Sequence, residues 1–139
     1  MKYHETPITV RFNEVDAYRV AWHGHYVTWM EVGRSDLAGR FGLNVFDIEA
    51  AGYQAPVVEL DLKFKRPLRF NDEARVQTTV RRSETATLEF LCRIVGGDGT
   101  VAATGRTVHV LTDVAGILQY TLPPVIGERL DLLMAYLEV

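Results

Sequence analysis

Apolar positions change their step three times along this chain, and each change marks a new kind of element. "ITVRFNEVD" (Ile8–Asp16) alternates and is β-branched at its start, which predicts a strand. Tyr26, Met30, Gly33, Leu37 and Phe41 then recur at steps of four, three, four and four, one face of a long helix. Gly33 on that face disfavours the helix itself, so its expected value is close approach to another backbone. Gly42 reads as the stop, with Arg34 and Arg40 suited to the C-terminal half, and a short helix is expected at Val45–Ala51. From Tyr53 the step returns to two. Val58, Leu60, Leu62 and Phe64 form one alternating set, and Ala74, Val76, Thr78 and Val80 a second. Ala86, Leu88, Phe90, Cys92 and Ile94 form a third, and Val101–Leu111 a fourth strand. "GGDG" (Gly96–Gly99) is a hairpin turn, and "RPLRFND" (Arg66–Asp72) connects the earlier pair. The tail, Val125–Leu137, returns to helical spacing with Ile126, Leu130, Leu133 and Leu137 behind Pro123-Pro124.

Strand, long helix, four long antiparallel strands and a terminal helix make a two-layer α+β domain. One helix cannot cover both faces or the edges of such a sheet, so pairing with a second subunit is expected. No linker, low-complexity tract or repeat divides residues 1–139, which suit one domain.

The composition, 47% hydrophobic and 24% charged, is that of an ordinary globular domain. A net charge of −3 argues against a general nucleic-acid binder but leaves room for a local basic patch. The single cysteine, Cys92, can form neither an internal disulfide nor a cysteine zinc cage, which fits a reducing compartment. "MKYHETPITVRF" has no apolar core of signal-peptide length, and no apolar run reaches membrane-spanning length. The expectation is a cytoplasmic protein with no membrane insertion.

The segment "RFNEVDAYRVAWHGHYVTWMEVGR" resembles the N-terminal signature of the 4-hydroxybenzoyl-CoA thioesterase-like acyl-CoA thioesterases, with Phe12, Asp16, Val20, Trp22, His23, Tyr26 and Glu31 falling on it without gaps. "LDLKFKRPLRFNDEARVQTTV" (Leu60–Val80) is similar to that family's second and third strands. The Tol-Pal-associated enzymes of the family look closest, because they too carry His at the His23 position. The resemblance implies the hotdog fold, a curved antiparallel sheet wrapped around one long central helix, here with a C-terminal helix added. It implies an acyl-CoA substrate, no cofactor, and a homodimer or homotetramer. One position departs from the pattern: Arg19 stands where the family usually has glycine, three residues after the aspartate.

Thioester hydrolysis needs a nucleophile or activated water and donors for the developing oxyanion. On pattern alone Asp16 reads first as a turn or capping aspartate; the resemblance reverses this and gives it the carboxylate role, as nucleophile or general base. The resemblance also gives the oxyanion site to the backbone N–H at His23, where a helix begins with unpaired donors. The His23 side chain is the second catalytic candidate. Tyr26 is expected to shape the acyl pocket, with Trp22 beside it. The CoA phosphates require cations, and Lys63, Lys65, Arg66, Arg69, Arg81 and Arg82 are the candidates, each with solvated surface charge as its plain alternative. Arg19 is expected at the pocket mouth, paired with an acid or facing a ligand anion, the pairing being favoured. Glu31 on the helix and Glu59 on a strand are backup carboxylates. His23 and His25 invite a metal, but no third ligand is in sight, so no metal is expected.

Two other functions stay in view. One is a non-catalytic acyl-CoA or acyl-carrier binding domain, since a fold does not fix an activity. The other is a hydratase or dehydratase, disfavoured because the Gly-Asp-x-Asn-Pro-x-His run is missing. The acyl group itself, aromatic or short-to-medium aliphatic, is left open.

Overall fold

The computed structural model describes residues 2–83 and 85–138. Its elements in chain order are β1 (His4–Thr9), α1 (His25–Gly39), α2 (Val45–Ala50), β2 (Tyr53–Gln54), β3 (Val57–Phe64), β4 (Glu73–Arg81), β5 (Thr87–Gly96), β6 (Val101–Val110), β7 (Thr112–Asp113) and α3 (Pro124–Glu138). Five strands form one antiparallel sheet in the order β1-β4-β5-β6-β3, and β2 pairs with β7 in a two-stranded ribbon. The sheet curves around α1, and α3 is the C-terminal helix, so the hotdog arrangement is what this sequence adopts.

Helix α1 lies on β1, β4 and β5. It buries Tyr26, Trp29, Met30, Gly33, Leu37 and Ala38. Gly33 sits against β4 so closely that a β-carbon there would stand 2.5 Å from Val76 Cγ1 and 2.7 Å from Thr78 Oγ1. The helix ends at Gly39, and Gly42 turns the chain with φ at +71°, so Phe41 falls in the turn and not on the helix. Asn44 then caps α2, its side chain accepting the Asp47 N–H at 2.9 Å. Helix α3 buries Ile126, Leu130, Leu133 and Leu137, the four positions its spacing selects.

The first strand differs from its sequence reading. It covers His4–Thr9, not Ile8–Asp16, and the chain makes a 3-10 turn at Phe12–Glu14. The cause is local: the Glu14 carboxylate accepts the Arg11 N–H at 2.7 Å, which folds the backbone out of the sheet. The segment Arg66–Asp72 is not a hairpin between neighbours. It carries the chain from β3 at one edge to β4, next to the opposite edge. Strand β3 pairs only with β6, and its inward residues Leu60 and Phe64 stay 43% and 53% exposed. That edge borders the functional cleft.

Candidate active site

The loop after β1 is anchored by a buried charge. Glu14 is 1% exposed; its carboxylate takes the Arg11 N–H, the Arg11 guanidinium and the Trp29 indole N–H at 3.2 Å, and its carbonyl takes the Trp22 N–H at 2.8 Å. Burial alone would raise this carboxyl, but the Arg11 and Trp29 donors together hold it below the ordinary glutamate value. Both ends of the Asp16 loop are therefore tied to one residue. A second tie joins the loop to the β3–β4 connection, where the Ala21 N–H donates to the Leu68 carbonyl at 2.7 Å.

Between these ties the chain makes a tight hairpin. Asp16 N–H donates to the Val20 carbonyl and Arg19 N–H to the Asp16 carbonyl, both at 2.9 Å, and Val15 bridges Ala21. This is a three-residue loop closed by a bulge whose last residue must be left-handed. Arg19 fills that place with φ at +66°. The family's usual glycine thus has a backbone reason, and arginine has kept the same conformation. Asp16 Oδ1 accepts the Tyr18 N–H at 2.8 Å, which fixes the carboxylate and leaves Oδ2 with no protein donor among the described residues.

Asp16, His23, Tyr26, Phe64, Lys65 and Arg66 line one cleft of about 330 Å³, together with Val20, Ala21 and Pro67. The His25 and Tyr26 N–H groups close the first turn of α1 on the Trp22 and His23 carbonyls. The N–H groups of His23 and Gly24, just ahead of them, donate to no protein acceptor among the described residues. They are donors at the positive end of a 15-residue helix. Gly24 leaves room for the Trp22 ring, which a β-carbon 2.1 Å away would push aside. Tyr26 is 3% exposed, with its ring 5.1 Å from Phe64 and 4.9 Å from Trp29, and burial raises its hydroxyl pKa. The sequence pattern alone does not mark Phe64 as a site residue; the signal it carries is its place as the last inward position of β3, just ahead of Lys65-Arg66-Pro67.

The remaining candidates divide. Trp22 is partly exposed, its ring 4.9 Å from that of His23 and 5.5 Å from that of His25. Lys63 lies on the outer sheet face beside Asp61 and Arg106. Arg81 pairs with Glu89 at 3.1 Å and Arg82 with Asp131 at 2.5 Å, at the far end of β4 from the cleft. Within one chain neither reaches the site. The backup carboxylates are also engaged, Glu31 with Arg34 and Glu59 with Arg106 at 3.1 Å. Arg19 is exposed and has no acidic partner among the described residues, so the expected ion pair is not there. No group of three or more His, Cys, Asp or Glu among the described residues is arranged to hold a metal. His4 and His109 are buried elsewhere, on Asp36 and Tyr136 and on Ala55 and Thr107.

Charge is sorted by place. Of the 15 lysines and arginines, ten find a carboxylate, amide, carbonyl or ring. Five have no such partner among the described residues: Arg19, Lys63, Lys65, Arg66 and Arg69. All five belong to the Asp16 turn or to the segment that ends β3 and leaves it. Lys65 and Arg66 stand on the cleft wall itself.

Residues 10–130 match the model of the thioesterase-like superfamily. The chain belongs to that superfamily. It is 31% identical over 131 residues to the Synechocystis protein named "Putative esterase sll0410", covering 93% of this chain and 79% of the relative. Among solved structures, a DHNA-CoA thioesterase from Staphylococcus aureus superposes with a TM-score of 0.85 at 27% identity, covering 97% of this chain and 93% of that one. A hypothetical protein TT1821 from Thermus thermophilus superposes at 0.82 with 33% identity, covering 93% and 98%. These similarities establish the superfamily; a special kinship with the Tol-Pal-associated enzymes is not established by them.

Proposed function

We propose that this protein hydrolyses acyl-CoA thioesters in the Asp16 cleft. The observation that carries the reading is the arrangement of Asp16: one carboxylate oxygen pinned by a backbone N–H, the other without a protein donor, in a cleft that the start of α1 also lines. The thioester carbonyl sits between them, and the His23 and Gly24 N–H groups receive the oxyanion as the carbonyl carbon becomes tetrahedral. Asp16 either attacks that carbon, releasing the CoA thiolate and leaving an anhydride for water to cleave, or takes the proton of an attacking water. Both routes give free acid and CoA without a cofactor. Tyr26 and Phe64 offer an apolar wall for an aromatic or short-to-medium aliphatic acyl group, and Trp22 backs His23 from outside the cleft. Lys65 and Arg66 are the cations placed for CoA phosphates. Its similarity to a DHNA-CoA thioesterase supports a CoA thioester as substrate. We further infer a homodimer formed through the open β3 edge.

Thiol release measured across acyl-CoA chain lengths and aryl-CoA substrates tests this. Asp16→Asn should lower kcat by about 10²- to 10⁴-fold with the fold intact, because an amide neither attacks nor accepts a proton. His23→Ala should lose less, since alanine keeps the backbone N–H. Near-normal turnover by Asp16→Asn would remove Asp16 from the chemistry. A parent protein that binds acyl-CoA but releases no thiol would make this a binding domain instead.

A further inference from the structure

The turn that carries Asp16 occurs three times in this chain. In each, the first residue's N–H donates to the fifth residue's carbonyl, and the fourth residue's N–H donates back to the first residue's carbonyl. The pairs are Asp16–Val20, Gly96–Thr100 and Asp113–Ile117. The fourth residue is Gly99 at φ +82° in the second and Gly116 at φ +87° in the third. In the first it is Arg19 at φ +66°. Side chains are disfavoured there because the β-carbon crowds the following carbonyl oxygen, and glycine escapes that. The fold therefore gains nothing from arginine at this place, as its own two other copies of the turn show. Nor does the side chain repay the strain inside the protein, since no carboxylate, ring or carbonyl of the described residues engages it.

We propose that Arg19 is a substrate-binding residue that engages a phosphate of coenzyme A at the mouth of the Asp16 cleft. The inference rests on the thioesterase reading above. The turn keeps the Arg19 Cα within about 7 Å of that of Asp16. Arg19 does not line the cleft, whose walls include the apolar Tyr26 and Phe64. An acyl group lies along those rings, which pack edge to face. The CoA arm must then leave through the mouth, where Arg19 on one loop and Lys65 and Arg66 on the facing loop supply unpaired cations. A guanidinium held there meets the leaving-group side of the substrate and not the acyl side, and phosphate is the anion that side carries.

The test is Arg19→Gly, with Arg19→Lys beside it, on two substrates bearing the same acyl group. One is the CoA thioester. The other is the N-acetylcysteamine thioester, which has no phosphate. The expected result with CoA is a KM about tenfold higher with kcat little changed, partly restored by lysine. With N-acetylcysteamine the KM should not move. Added salt should raise the parent's KM for the CoA thioester more steeply than the variant's. Tm should stay or rise in Arg19→Gly, because strain is relieved, so a weaker KM cannot be put down to unfolding. An unchanged KM for the CoA thioester overturns the proposal. An equal rise with both substrates also overturns it, by placing Arg19 on the acyl or pantetheine end. If the parent turns over neither substrate, the thioesterase reading fails on its own. Calorimetry with CoA alone then decides Arg19: about tenfold weaker binding in the variant supports it, and equal binding overturns it.

Discussion

Glu14 shows how one residue sets the geometry of another. It takes no part in the proposed chemistry, yet its side chain and carbonyl hold Arg11 and Trp22, the residues on either side of the Asp16 turn. Glu14→Gln keeps the size but turns an NH₂ toward either the Arg11 N–H or the Trp29 N–H, leaving a buried donor unpaired. The expected loss is about 1–3 kcal/mol of stability. A pH dependence follows from the same contacts. The folded carboxyl lies below its ordinary value, so its contribution is fully present above the pKa of an unfolded glutamate and is lost as pH falls through the folded one. The Tm gap between parent and Glu14→Gln should therefore be widest near neutrality and shrink on the acid side of about pH 4.5. A gap that stays constant from pH 7 to 3 would show that Glu14 acts by shape and not by charge. The sequence pointed to Asp16 through its spacing from Tyr26, but not to Glu14, because only folding brings Trp29 and Trp22 to it.

At the scale of elements, helices were more legible than strand ends. The faces of α1 and α3 follow from a local repeat of about 3.6, which no distant contact has to complete. The end of β1 does not. Alternation continues through Phe12, but the Glu14–Arg11 turn has already left the sheet, and Phe12 is 77% exposed. The ribbon of β2 and β7 is two residues long on each side, too short for any periodicity to register. Gly33 is the clearest case of a position read from its misfit: a poor helix former on a buried face is there for space, although the atoms it makes room for are the Val76 and Thr78 side chains and not the expected backbone. Gly33→Ala should gain helix propensity of about 1 kcal/mol and lose more to overlap with Val76 and Thr78, both fully buried. The net expectation is a Tm several degrees lower. Adding Val76→Ala should return part of that loss, a coupling that thermal unfolding of the single and double variants would reveal. Strict additivity of the two losses would mean that α1 and β4 are not wedged at this point.

The whole molecule is where β3 has to be explained. Sequence order suggested that consecutive strands lie side by side, but β3 lies at the edge, and only the crossover through Arg66–Asp72 reveals it. Its exposed inward residues are the ones a core would take, and the Asp16 cleft uses its last residue, Phe64, as a wall. Two copies of β3 paired antiparallel about a two-fold axis would bury this strip against itself, inward residues facing inward ones. The outward charges limit the register. Centring the pair on Leu60 sets Glu59 opposite the partner's Asp61, like against like. Centring it on Asp61 sets that carboxylate against itself, whereas centring it on Leu62 sets Lys63, which has no partner within its own chain among the described residues, opposite the partner's Asp61. Arg106, which holds both Glu59 and Asp61, steadies the acidic side of that edge. The protein should therefore sediment at twice its 15.7 kDa chain mass. Leu60→Lys, at a site open enough in one chain to accept the charge, should give folded monomers. Lys63→Glu should weaken the dimer, the more so at low salt. Activity should fall with dimer content in both, since the cleft wall loses its support. If both variants keep the doubled mass at micromolar concentration, subunits meet elsewhere and β3 faces solvent.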